Sequence, residues 1–354
     1  MKHNLKIILL LVTIFLFAQL IGIGILTQYI DIDTTAKTGQ TTLNNDMYGL
    51  TGITPPPVEN ESLSFIWVSV IVVLGTLIVL LIIKFRKKNI WKLWFSLGVM
   101  LTLIMAFVPF VTKFINSFLP RIAAYSIWIV LFAALVLTYV KVFRKNLLVH
   151  NFTELFIYGG LASIIAPVLN LVSATILLLI ISAYDIYAVW FSKHMIGMAE
   201  FQTEDKVFAG LLVQYKREDK EVKKDYKLSN EKEKEYKTMQ SPQKTDTSRI
   251  RKPDNPKYRY DNQPKDIKTT NEYENTPQNA ILGGGDIAFP LFFTGAVIKA
   301  TGSAFLPIII TTTTTIALFM LYYFGKKDRY YPAMPFLSAG CFVGAGIVWL
   351  ITLF

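Results

Sequence analysis

What most constrains this chain is a series of apolar stretches, each about as long as a membrane is thick. Residues 7–30, 62–83, 93–112 and 122–140 carry no charged side chain. A membrane-crossing helix needs roughly 20 mostly apolar residues, so each stretch is long enough to span. A further apolar region over 147–192 is too long for one crossing and is interrupted by Pro167 and Asn170, so it divides into two spans. The C-terminal third supplies three more, at 281–298, 300–325 and 330–354. These are read as helices because backbone in lipid must satisfy its own hydrogen bonds, and the runs are too continuously apolar for barrel strands. The predicted fold class is an all-α polytopic membrane protein with nine transmembrane helices.

Composition agrees. Charged residues make up 17% of the 354-residue chain and hydrophobic ones 53%, whereas a soluble domain carries about 25% charged residues. The formal net charge of +11 does not indicate nucleic acid, because outside one polar insert the basic residues sit mainly in short links between apolar runs. Cys341 is the single cysteine and lies in an apolar run, and His3, His150 and His194 are scattered. Neither a disulfide, nor a metal site, nor a cofactor is expected. Lys2, His3 and Lys6 precede the first run as in a signal peptide, but the run from 7 to 30 exceeds the usual roughly 7–15-residue apolar core. It is read as a retained first span.

The organisation predicted is one membrane domain in two parts: spans one to six over 1–202, and spans seven to nine over 281–354. Between them, residues 203–280 hold 18 Lys and Arg against 15 Asp and Glu, with several prolines. Such a stretch has too little apolar surface to fold alone and is expected to be a flexible polar cytoplasmic loop, either a solvated linker or a docking segment. Lys84, Arg86, Lys87, Lys88 and Lys92, then Lys141, Arg144 and Lys145, then Lys326, Lys327 and Arg329 all fall on the same side as that loop. The opposite side holds Lys37, Lys113, Arg121 and Lys299 and an acidic first link. The positive-inside rule then places the N-terminus in the cytoplasm and the C-terminus outside.

The site emerges by elimination. Outside the insert there are 10 acidic residues, of which only Asp185 and Asp286 lie well inside apolar segments. Glu154 falls near the start of the fifth span and is expected to reach lipid headgroups. A charge within a membrane costs at least about 2.5–3.5 kcal/mol on insertion scales, so each such residue is a functional candidate. Counting from the span ends at 1.5 Å per residue puts Asp185 about 12 Å deep and Asp286 roughly 8 Å deep, both on the loop side. Antiparallel spans six and seven can therefore bring two carboxylates face to face, where they share one proton. That suits an aspartic protease, and an aspartate pair held for helix packing or proton conduction fits the position as well.

Neighbouring residues add detail. Gly283, Gly284 and Gly285 precede Asp286, and glycine lets another backbone approach closely or leaves room for an extended substrate and water. A small-residue helix contact or a simple turn explains them equally. Tyr184 could donate near the pair, or serve as core packing. Pro332-Ala333-Met334-Pro335 prevents a regular helix start, leaving backbone groups free to pair with an extended peptide, or simply punctuates the helix.

Together these residues resemble the presenilin and signal peptide peptidase family of GxGD intramembrane aspartyl proteases. The resemblance rests on Tyr184-Asp185 in span six, Gly283-Gly284-Gly285-Asp286 in span seven and Pro332-Ala333-Met334 at the ninth. It covers essentially the whole chain, and the compact size looks like an archaeal presenilin homologue in a prokaryotic cell membrane. It implies that Asp185 and Asp286 are catalytic. It further implies that Tyr184, the three glycines, Pro332, Ala333 and Met334 shape the active site and engage substrate. Met334 stands where the family has leucine, a swap that roughly conserves volume. The implied substrates are transmembrane helices of other proteins within the bilayer. The main alternative is a channel or proton-coupled transporter using the aspartates as a relay, with the threonines at 311–315 lining a cavity or bonding to their own backbone. A non-catalytic scaffold that recruits partners through the insert is a third reading.

Overall fold

The computed structural model describes residues 5–38, 41–56, 60–85, 88–144, 146–192, 209–215, 278–325 and 331–353. Most of the polar insert, with its predicted flexibility, lies outside these residues, as do several basic link residues used for orientation. The chain divides into two compact units, Met1–Leu212 with Ile281–Phe354, and Val213–Ala280.

The first unit is helical. Its helices are α1 (Leu5–Tyr29), short α2 (Ile32–Thr38) and α3 (Asn45–Thr51), then α4 (Ser64–Lys84), α5 (Lys88–Phe118), α6 (Ser126–Tyr139), α7 (Leu147–Ile165) and α8 (Leu171–Tyr187). After the insert come α9 (Gly284–Thr301), α10 (Pro307–Phe324) and α11 (Met334–Leu353). Eight of the described helices, some extended by a flanking turn, are long and apolar enough to cross a membrane. The helix expected as the seventh span, α9, is only 18 residues long and carries Asp286 and Lys299.

Local chemistry sets the boundaries. The predicted division of 147–192 falls at a 3-10 turn over Ala166–Val168, and Asn170 then starts α8 through a reciprocal capping box with Ser173. Each side chain there satisfies an amide that the helix start would leave open. Asn146 caps α7 in the same way, accepting from Leu148 and Val149. Gly302 closes α9 in the left-handed conformation at φ 61°, which glycine adopts without strain. In α10, Thr312, Thr313, Thr314 and Thr315 donate back to carbonyls one turn earlier. Those hydroxyls are thus satisfied within the helix.

The layering places α9 at the centre, with α1, α7, α8, α10 and α11 packed around it. Pro290 to Lys299 is buried without a break, as expected of a helix that is apolar all round. By contrast α4 and α6 expose Trp67, Ile71, Leu74, Trp128 and Phe132, the side chains that meet lipid in a membrane protein. At one end Lys299 Nζ donates to Glu61 at 3.0 Å and to the carbonyls of Pro167 and Leu169 at 2.6 and 2.9 Å. That ties α9 to the α7–α8 corner.

Two features depart from the sequence reading. Strands β1 (Gly210–Tyr215) and β2 (Gln278–Gly283) pair as a two-stranded sheet at the ends of the insert, where only loop was expected. Consequently residues 281–283, predicted to open span seven, are strand, and Asp286 lies in the first turn of α9. The run Ala280-Ile281-Leu282 is short and apolar, and such a run reads equally as strand or helix until a partner decides it.

Candidate active site

Asp185 sits near the end of α8 and is 8% exposed, while Asp286 is half-buried in the first turn of α9. The two helices pack directly on each other. Their carboxyl groups lie within electrostatic reach, so the charge of one acts on the other.

The start of α11 holds Asp185 in place. Met334 N–H donates to Asp185 Oδ2 at 3.0 Å, and the Ala333 amide also acts on that carboxyl. The sequence explains why. Pro332 and Pro335 have no N–H, and the amides of Phe336 and Leu337 donate to Ala333 O. Ala333 and Met334 are thus the two amides in this turn left for an outside acceptor. A helix start with open donors stabilises a carboxylate placed there. The expectation that this turn would offer its backbone to a substrate is modified, because Met334 directs its amide at Asp185. Ser182 and Ser338, one turn along each helix, add a buried hydrogen bond at 2.8 Å that fixes the register of α8 against α11.

The three glycines have different surroundings. A Cβ on Gly284 would meet the Tyr158 hydroxyl at 2.7 Å, so only glycine lets that ring reach the α9 start. Gly283 and Gly285 stay exposed, and a Cβ on Gly283 would approach Asp286 Oδ2 at 3.2 Å. Tyr184 pairs with Thr76 of α4. It also lines an apolar groove of about 210 Å³ between α4 and α8, with Val72, Leu77, Ile180 and Ile181.

Sequence reasoning missed a cluster beneath Asp286. Glu154, expected at the headgroups, is 1% exposed. It accepts from Lys141 Nζ, from the Tyr158 hydroxyl and from the Gly210 amide. Lys141, read as a basic link residue, is buried in a π turn that continues α6. Tyr158, and Tyr322 of α10, lie within electrostatic reach of Asp286. A carboxylate one turn before a tyrosine was the available signal in the sequence, but it does not say which way that helix face points.

The family model for signal-peptide peptidase, presenilin aspartyl protease matches residues 44–353. The chain belongs to that family. It is accordingly a presenilin-like, multi-pass membrane protein of a protease family that acts within the bilayer. Two solved structures of a presenilin family intramembrane aspartate protease, from P2 and C222 crystals, share its fold. The first has a TM-score of 0.55 at 14% identity, covering 96% of each chain. The second has a TM-score of 0.54 at 15% identity, covering 97% of this chain and 99% of the other. No curated protein matches the sequence.

Proposed function

We propose that Asp185 and Asp286 are the catalytic pair of an intramembrane aspartyl protease that hydrolyses peptide bonds in transmembrane helices of other proteins. The observation that carries this is the electrostatic proximity of the two carboxyls on adjacent helices, in a chain of this family. Two acids so close in low dielectric share one proton. The ionised one takes a proton from water, which attacks the scissile carbonyl; the protonated one donates to the carbonyl oxygen. The resulting tetrahedral species collapses as the amide nitrogen is protonated and leaves. No covalent enzyme intermediate forms.

The other predicted residues take supporting roles. Met334 and Ala333 orient Asp185 through their amides. Gly283 and Gly285 leave open space beside Asp286, which suits an unwound stretch of substrate backbone. The groove between α4 and α8 reaches Tyr184, next to Asp185, and its apolar lining suits a helix arriving from lipid. With the N-terminus cytoplasmic, cleavage falls in the cytoplasmic part of the substrate's span.

The test is reconstitution in liposomes with single-span substrates, product analysis by mass spectrometry, and labelling by a transition-state-analogue aspartyl protease inhibitor. Asp185→Ala and Asp286→Ala should fold and lose both cleavage and labelling. Full cleavage by either variant overturns the assignment. Ion flux without proteolysis, abolished by the same substitutions, favours a relay instead.

A further inference from the structure

The geometry points to Glu154 as a positioning residue that fixes the Gly283–Asp286 turn, acting through Tyr158 and through the start of β1. This deepens the proposed function and rests on Asp286 being catalytic.

Glu154 occupies a buried junction. On one side Lys141 pairs with it, and His150 lies 4.0 Å away. On the other side it makes two contacts that both lead to the Asp286 turn. The first is Tyr158, whose hydroxyl donates to Glu154 while its ring fills the space a Gly284 side chain would take. The second is Gly210, whose amide donates to Glu154 at 3.2 Å and whose carbonyl meets His150 Nε2 at 2.8 Å. Asn151 adds a two-way backbone pairing with Leu212, at 2.8 and 3.0 Å. The strand so held touches the turn directly: Gly284 N–H donates to Ala209 O at 3.3 Å, and Gly210, at φ 145°, packs against Leu282 O.

Three glycines in a row give the turn little stiffness of its own. A carboxyl group on such a turn keeps a catalytic position only if its surroundings hold it. The Glu154 junction supplies that from two directions, and the Lys141 charge compensates the buried carboxylate. Among the described residues no hydrogen bond joins Glu154 or Tyr158 to the Asp286 carboxyl, so the effect of disturbing the junction falls on Asp286 placement.

The experiment uses the full chain in liposomes with a single-span peptide that the unmodified chain cleaves. Rates are taken per site titrated with a transition-state-analogue inhibitor, so that loss of folded protein does not register as loss of rate. Tyr158→Phe removes one hydroxyl and keeps the ring. It should lower kcat about tenfold and leave KM within about twofold, the pattern of a lost transition-state interaction. Glu154→Leu made together with Lys141→Met strands no buried charge and should lower kcat at least as far, whereas Glu154→Gln, which keeps an acceptor, should retain more activity than that pair. If the double variant does not fold, Tyr158→Phe decides alone. Tyr158→Phe with kcat above half that of the unmodified chain, or with a change confined to KM, overturns the proposal. Asp286→Asn, read as total cleavage by an equal amount of folded protein, separates the two readings: if it is inactive while Tyr158→Phe is unimpaired, only the Glu154 role fails, and if it is active, the catalytic assignment itself fails.

Discussion

Met334 N–H donates to Asp185 Oδ2 at 3.0 Å, so the first residue of one transmembrane helix caps a carboxylate on another. The prolines on either side restrict which amides can do this, and the two available ones both act on Asp185.

Replacing Met334 with proline tests that bond, because proline is tolerated at a first helical position yet has no N–H. A hydrogen bond to a charged group contributes about 1.5–3 kcal/mol, so cleavage should fall by roughly 10- to 100-fold in a folded protein. Met334→Leu keeps the amide and the volume and should stay within about threefold. Parallel cleavage assays decide it; equal activity in both variants removes the amide from the mechanism.

The Ser182–Ser338 bond predicts non-additive stability. Either serine changed to alanine leaves the other hydroxyl buried without its partner, at about 1–3 kcal/mol, whereas changing both should cost less than the sum. Thermal melts in detergent of the two single variants and the double give the coupling directly. Additive losses would show that the bond does not hold α8 to α11.

Gly284→Ala should abolish most cleavage, since its new methyl meets the Tyr158 hydroxyl at 2.7 Å and its ring carbon at 3.0 Å. Gly24→Ala, where nothing lies within 4 Å, should be neutral or stabilising by about 0.5–1 kcal/mol. Activity and melting temperature of the two variants, read side by side, separate a local clash from a general intolerance of alanine for glycine.

The α10–α11 contact predicts a further sensitivity to size. Gly340 and Gly344 are one helical turn apart, and a Cβ on either would meet Thr314 Cα at 2.9 Å or Ile310 Cα at 2.7 Å. Small residues let membrane helices approach this closely. Gly344→Leu should separate the helices near the middle of α11 and lower the melting temperature, while Gly346→Leu, in open space, should not. Unchanged melting in Gly344→Leu would contradict the packing.

The sequence alone determined that this is a multi-pass membrane protein, roughly where its spans run, and that Asp185 and Asp286 stand apart from every other acid. These are local properties: the length of an apolar run and the cost of a charge within it are read one segment at a time. What the tertiary structure decided depends on which faces meet. It buried Glu154 and Lys141 together, brought Tyr158 to Gly284, turned the Met334 amide toward Asp185, and made residues 278–283 a strand. A span that is apolar on all sides, as α9 is, has no hydrophobic stripe to show which neighbour each side chain faces. Only the packing of the helices around it supplies that information.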